Sequence, residues 1–155
     1  MSSVAASAHA AAPLTTTYTV LTNAGAQAAV KAAEHMAAEL SAPSAIAVVD
    51  PSGNLLAFER LDGVRIGSIE LAIGKARSAA LLQRPSEQIE DNINKGRLAF
   101  ATAGFLSLRG GIPISVNGQV VGAVGVAGMN KDNDVKIATA AAQQVEAALE
   151  GTATH

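Results

Sequence analysis

Two short stretches of this chain hold residues that could do chemistry. The first is Arg109-Gly110-Gly111-Ile112-Pro113. Tandem glycines in a loop expose backbone N–H groups, and a neighbouring guanidinium adds a fixed cation. Together they would hold a carboxylate or another anion. The competing reading is an ordinary loop that positions a strand. The second stretch is Glu59-Arg60-Leu61-Asp62-Gly63, followed by Lys75 and Arg77 on the next helix. Lys75 falls near an apolar stripe, beside Ala72 and Ala76, so its ammonium either snorkels outward or reaches a partner such as Asp62 or an acidic ligand. In the catalytic reading, Lys75 or Asp62 is the acid or base, and Arg109 with the loop N–H groups holds a carboxylate. Such a set suits an isomerase, lyase or hydratase working on a small carboxylated molecule.

The remaining candidates are weaker. His9 and His155 stand near the ends of the chain, and His35 has only Glu39 at the i+4 position. One His–Glu pair is a poor metal site, so no metal centre is expected. His35 is either a surface histidine or a solitary axial ligand to haem iron. Gly122, Gly125 and Gly128 do not spell the dinucleotide fingerprint, which also needs a strand-to-helix turn. Glycine inside a strand marks a bulge or the close approach of another backbone, which here means a helix, a second subunit or a flat ligand. No nucleophile elbow and no Ser-His-Asp order is present.

These residues must be positioned by a core that has few large side chains. Of the 155 residues, 49% are apolar but only 3% are aromatic, so Ala, Val, Leu and Ile build the interior and elements can approach closely. The net charge is −2 and the basic residues are scattered, which excludes the basic stripe of a nucleic-acid binder. There is no cysteine, so disulfides, thiolate metal sites and cysteine nucleophiles are excluded. No apolar run is long enough to span a bilayer. Residues 1–20 are rich in Ala, Ser and Thr and lack both the basic start and the apolar centre of an export signal; they read as a flexible arm, with a cytoplasmic location expected.

From Thr22 or Asn23, either of which can cap a helix, Ala26, Ala29, Val30, Ala33, Ala37 and Leu40 follow helical spacing, and Pro43 ends the run. Ser44–Asp50 and Leu55–Leu61 read as an antiparallel strand pair about the turn Pro51–Asn54. Asp62–Ser68 is a loop. A second helix starts at Ser68, with Ile69, Ala72, Ile73, Ala76 and Ala80 along one face, and Pro85–Gly96 is a short third helix. Arg97–Arg109 has no clear pattern. Ile112–Val116 and Gln119–Gly128 are strands joined at Asn117-Gly118, the strongest short hairpin signal. Lys131–Glu150 is a last helix, with acidic residues near its start, where they suit the helix dipole. Helices set among sequential hairpins give an α+β class, with one domain over 21–150 and a tail over 151–155.

Three blocks, "AIAVVDPSGNLLAFERLDG", "GSIELAIGKARSAA" and "GGIPISVNGQVVGAVGVAG", with Asp134 soon after, resemble the GlcG/HbpS family. The likeness runs from about Leu21 to Leu149. It implies a profilin-like, three-layer domain: a central antiparallel sheet with helices on both faces. It also implies a homo-oligomer that binds a small molecule, with haem or another tetrapyrrole as the possible cofactor. The family's arginine-x-Asp-Gly block matches Arg60, Asp62 and Gly63. Its helix lysine matches Lys75, and its Gly-Gly-x-Pro block matches Gly110, Gly111 and Pro113. After the last strand this chain reads "AGMNKDND", where the family usually has Ser-Gly, small residues and then Asp-Glu.

Overall fold

The structure is a computed structural model and describes residues 10–152. Residues 10–20 form no helix or strand, and Leu14, Tyr18 and Val20 are exposed. The rest of the expected arm and residues 153–155 of the expected tail lie outside the described residues.

Thr22 caps α1 (Asn23–Glu39), its Oγ1 accepting the Gly25 N–H at 3.1 Å. The buried side of α1 is Ala26, Ala29, Val30, Ala33 and Ala37, as the spacing requires. Then come β1 (Ala45–Val49), β2 (Leu55–Arg60), α2 (Ser68–Leu82), α3 (Glu87–Asn94), β3 (Gly111–Val116), β4 (Gln119–Ala127) and α4 (Lys131–Thr152). Within the region without a pattern, Leu98–Thr102 is a 3-10 turn. The four strands form one antiparallel sheet in the order β2-β1-β4-β3. Asn117 and Gly118 both take positive φ at the β3–β4 turn, which is what a two-residue hairpin of this type demands.

Helices α1 and α4 cover one face of the sheet, against Ile46, Val48, Val124 and Val126. Helix α2 covers the other, against Ala45, Ala47, Val49, Ala123 and Ala127. The fold is therefore α+β, with helices on both sides of a central antiparallel sheet. Among the described residues no helix is long and apolar enough to cross a membrane.

Two sequence expectations need correction. Arg109–Pro113 is not a loop throughout: Gly111, Ile112 and Pro113 already belong to β3, an edge strand, where a proline's missing N–H costs no ladder bond on the free side. And the buried side of α2 is turned from the expected stripe. Ala72, Lys75, Ala76, Ser78, Ala79 and Ala80 are buried, while Ile69 and Ile73 are only partly so. The cause is the sheet beneath. Gly111 and Gly125 are direct partners across β3 and β4. A Cβ on Gly125 would fall on the Ala72 carbonyl, and one on Gly111 would fall on the Lys75 carbonyl. The helix backbone rests on this glycine patch, so alanines turn inward and the isoleucines turn aside.

Candidate functional site

The close seating of α2 carries Lys75 into the interior. Its side chain is 5% exposed, and its ammonium donates to the Val126 carbonyl at 2.8 Å and to Asp134 Oδ2 at 2.9 Å. Asp134, also buried, accepts the Gly128 N–H on Oδ1 at 2.7 Å. The Gly128 carbonyl in turn accepts from Arg65 Nη2 at 3.2 Å. Three elements meet here: α2, the end of β4 and the first turn of α4. The pair forms part of the wall of a cleft of about 180 Å³, bounded also by Arg65, Leu71, Leu108 and Lys131. Its cations are Arg65, Lys75, Arg109 and Lys131, and its acids are Glu90 and Asp134.

The expected partner of Lys75 was Asp62 or a ligand; the structure supplies Asp134. Asp62 and Gly63 are exposed in the turn after β2, and Arg60 is exposed at that strand's end. None of the three lines the Lys75 cleft. Asp134 had a sequence signal. It shares helical spacing with the buried Ile137, Ala138 and Ala141, so it is an acid on an apolar stripe, as Lys75 is a base on one. Two opposite charges on two apolar stripes call for each other, because neither can be buried alone.

Arg109 does line the cleft, but acids from α3 hold it. Its backbone N–H and Nε donate to Glu90 Oε2 at 2.7 and 3.1 Å, and Nη2 donates to Asp91 Oδ1 at 2.9 Å. The hydrogen bond that the guanidinium donates to Glu90 raises its pKa above the ordinary value. The Gly-Gly pair is buried. Gly110, at φ 115°, accepts the Val126 N–H on its carbonyl at 2.9 Å. The Gly111 N–H donates to Ser86 Oγ at 2.8 Å, and Ser86 Oγ donates to the Leu108 carbonyl at 2.7 Å. These N–H and C=O groups are engaged within the protein. Pro113 lies partly buried in β3.

A second concavity lies on the other side of the sheet. The outer surfaces of α1 and α4 form an open groove of about 500 Å³, lined by Ala28, Lys31, Ala32, His35, Met36 and Ala140, among others. His35 is the one histidine among the described residues, and its side chain is 77% exposed. Its Nδ1 stands 3.6 Å from Glu39 Oε1, one turn further along the helix.

Comparison with known proteins agrees with this architecture. Residues 21–143 match the family model described as "Haem degrading protein HbpS-like". Protein GlcG of Escherichia coli K12 is 40% identical over 111 residues, which is 71% of this chain and 83% of GlcG. The crystal structure of Klebsiella pneumoniae protein ORFY superposes with a TM-score of 0.81 at 28% identity, covering 89% of this chain and 99% of ORFY. A double mutant of Streptomyces reticuli HbpS superposes with a TM-score of 0.77 at 32% identity, covering 91% of this chain and 97% of that one. With most of its length matched by the family model and the sheet, helices and blocks in the same order, this chain belongs to the GlcG/HbpS family.

Proposed function

We propose that this chain is a small-ligand-binding protein whose ligand is haem or a related tetrapyrrole, held in the groove between α1 and α4. The observation that carries this reading is the setting of His35. Its exposed imidazole stands on a groove whose walls are methyl groups and a thioether, from Ala28, Ala32, Met36 and Ala140. A flat apolar macrocycle needs such a wall. An imidazole is a common iron ligand, and Glu39 beside Nδ1 would orient the ring so that Nε2 is left for the metal. Lys31, one turn before His35, offers a cation for a propionate. The donor set therefore fits haem: His35 would hold the iron, and the bound group would supply its redox and ligand chemistry. The family description and the HbpS likeness support the same reading.

The test is a haem titration of the full chain, followed by its Soret band. The wild-type chain should give a saturable, shifted Soret band, and His35→Ala should lose the shift. Identical titrations of the two proteins would rule out His35, and no spectral change in either would rule out haem.

The chain is also proposed to form a homo-oligomer. Ile66, Leu98 and Met129 are more than two-thirds exposed, at 79%, 68% and 72%, and apolar side chains this open favour contact with a second copy. Light scattering that returned only the monomer mass at micromolar concentration would refute assembly. A cytoplasmic location is proposed as well, and cell fractionation tests it.

A further inference from the structure

We propose that the Lys75 cleft is a second ligand site, separate from the haem groove, and that it takes a small organic carboxylate. Three observations carry this. First, an ammonium has three donors. Lys75 gives two of them to Val126 O and Asp134 Oδ2, and among the described residues the third has no acceptor. An anion reaching this floor would meet a desolvated ammonium and would share it with Asp134, so the cations around the rim must offset that carboxylate. Second, the cleft's charges do not cancel. Glu90 and Asp91 both engage Arg109, and Asp134 engages Lys75, but Arg65 and Lys131 have no carboxylate partner among the described residues, which leaves one more cation than acid. Third, the remaining wall is apolar: Leu71, with Leu108 42% exposed and Met129 72% exposed. Side chains that stay this open beside a charged floor suit a ligand with a short hydrocarbon part.

Size then limits the ligand. A space of about 180 Å³ is too small for a tetrapyrrole or a nucleotide, and it matches an acid of a few carbon atoms. A further polar group lies on the same helix as Lys75, outside the cleft's lining. Ser68 Oγ is buried with no hydrogen-bond partner, and Ser68 shares one face of α2 with Leu71 and Lys75 by helical spacing. Arg65 also bonds the Gly128 carbonyl, whose N–H holds Asp134, so filling the cleft would be felt at the backbone of Gly128.

The experiment uses the full chain, labelled with nitrogen-15, in chloride-free buffer at fixed ionic strength. Sodium acetate, propionate and butyrate are titrated in turn, with acetamide as the uncharged control. The amide shifts of Gly128, Met129 and Lys131 report binding. The expected result is saturable shifts from the three acids and none from acetamide, with affinity rising by up to about fourfold per added methylene. Arg65→Ala, a change to an exposed side chain, should weaken binding about tenfold, the usual worth of one charge-assisted hydrogen bond. Asp134→Asn should lower the melting temperature yet tighten carboxylate binding, because it removes the anion that competes for Lys75. The proposal is overturned by an absence of saturable shifts with all three acids, by equal shifts from acetamide, or by an Arg65→Ala chain that binds as wild type does. A folded Asp134→Asn chain with unchanged or weaker affinity also counts against it. No haem enters these measurements, so their outcome is independent of the haem titration.

Discussion

The two faces of the sheet are packed on different terms. On the α1/α4 side the sheet offers branched side chains, Ile46, Val48, Val124 and Val126, all at 0% exposure, and the helices answer with alanines and with Val30, Ile137 and Val145. On the α2 side the sheet offers Ala45, Ala47, Ala123 and Ala127, with one branched side chain, Val49, and with Gly111 and Gly125 between, and the helix answers with Ala72, Ala76, Ala79 and Ala80. The first face is an ordinary aliphatic core whose stability scales with apolar area. The second brings helix backbone down on strand backbone, where there is little room to adjust. It also supplies the lysine of a buried ion pair, whose carboxylate comes from the first turn of α4 at the end of β4. A flexible lysine can be buried at a close-packed interface because the short distance lets its ammonium reach a β4 carbonyl and an α4 carboxylate together. The difference teaches that small residues here do more than fill space. They set the depth at which α2 sits, and that depth places Lys75.

The comparison can be broken most severely at the ion pair. Asp134→Ala leaves the Lys75 charge buried and the Gly128 N–H without an acceptor, and should cost about 3–5 kcal/mol in a denaturant titration. The double change Lys75→Met with Asp134→Leu should recover most of that loss, since an apolar pair of similar volume removes the unpaired charge. If the double variant is no more stable than Asp134→Ala, the pair is not what holds the interface.

The glycine patch comes next. Gly125→Val should cost about 3 kcal/mol or more, because the side chain meets α2 backbone and the Ala76 methyl, neither of which can swing aside. Unfolding monitored by circular dichroism reads the loss. A cost below 1 kcal/mol would mean that α2 can lift off the sheet. On the opposite face, Ile46→Val should cost only about 1 kcal/mol, the usual loss for one methylene in an aliphatic core. A larger loss for Ile46→Val than for Gly125→Val would reverse the contrast between the faces. The smallest effect is expected at the N-terminus. Residues 10–20 are exposed and carry no helix or strand, so removing residues 1–19 should change stability by less than about 0.5 kcal/mol. A larger drop in melting temperature would place part of that stretch against the domain or a second copy.

Much of the scaffold was legible from local signals. The helical spacing of Ala26 through Ala37, the Thr22 cap and the Asn117-Gly118 turn each depend on residues close in sequence, and each appears as expected. Glycine inside the last strand pointed to close approach of another backbone, which α2 provides. The candidate site was less legible. Gly110 and Gly111 looked like a ligand loop because tandem glycine reads the same whether its N–H groups face a ligand or, as the Gly111 N–H does, a hydroxyl of the protein itself. Arg109 looked free because its partners, Glu90 and Asp91, lie on α3, well before it in the chain.

By itself the sequence determined the order of elements, the position of the hairpin turns and the family, since periodicity, caps and turns are short-range properties. Only the tertiary structure decided which charges meet. Lys75 and Asp134 are 59 residues apart, and each stands on its own apolar stripe with several possible partners. The pairing became definite once two glycines on adjacent strands let a helix down onto the sheet, because at that depth neither charge can be buried without the other.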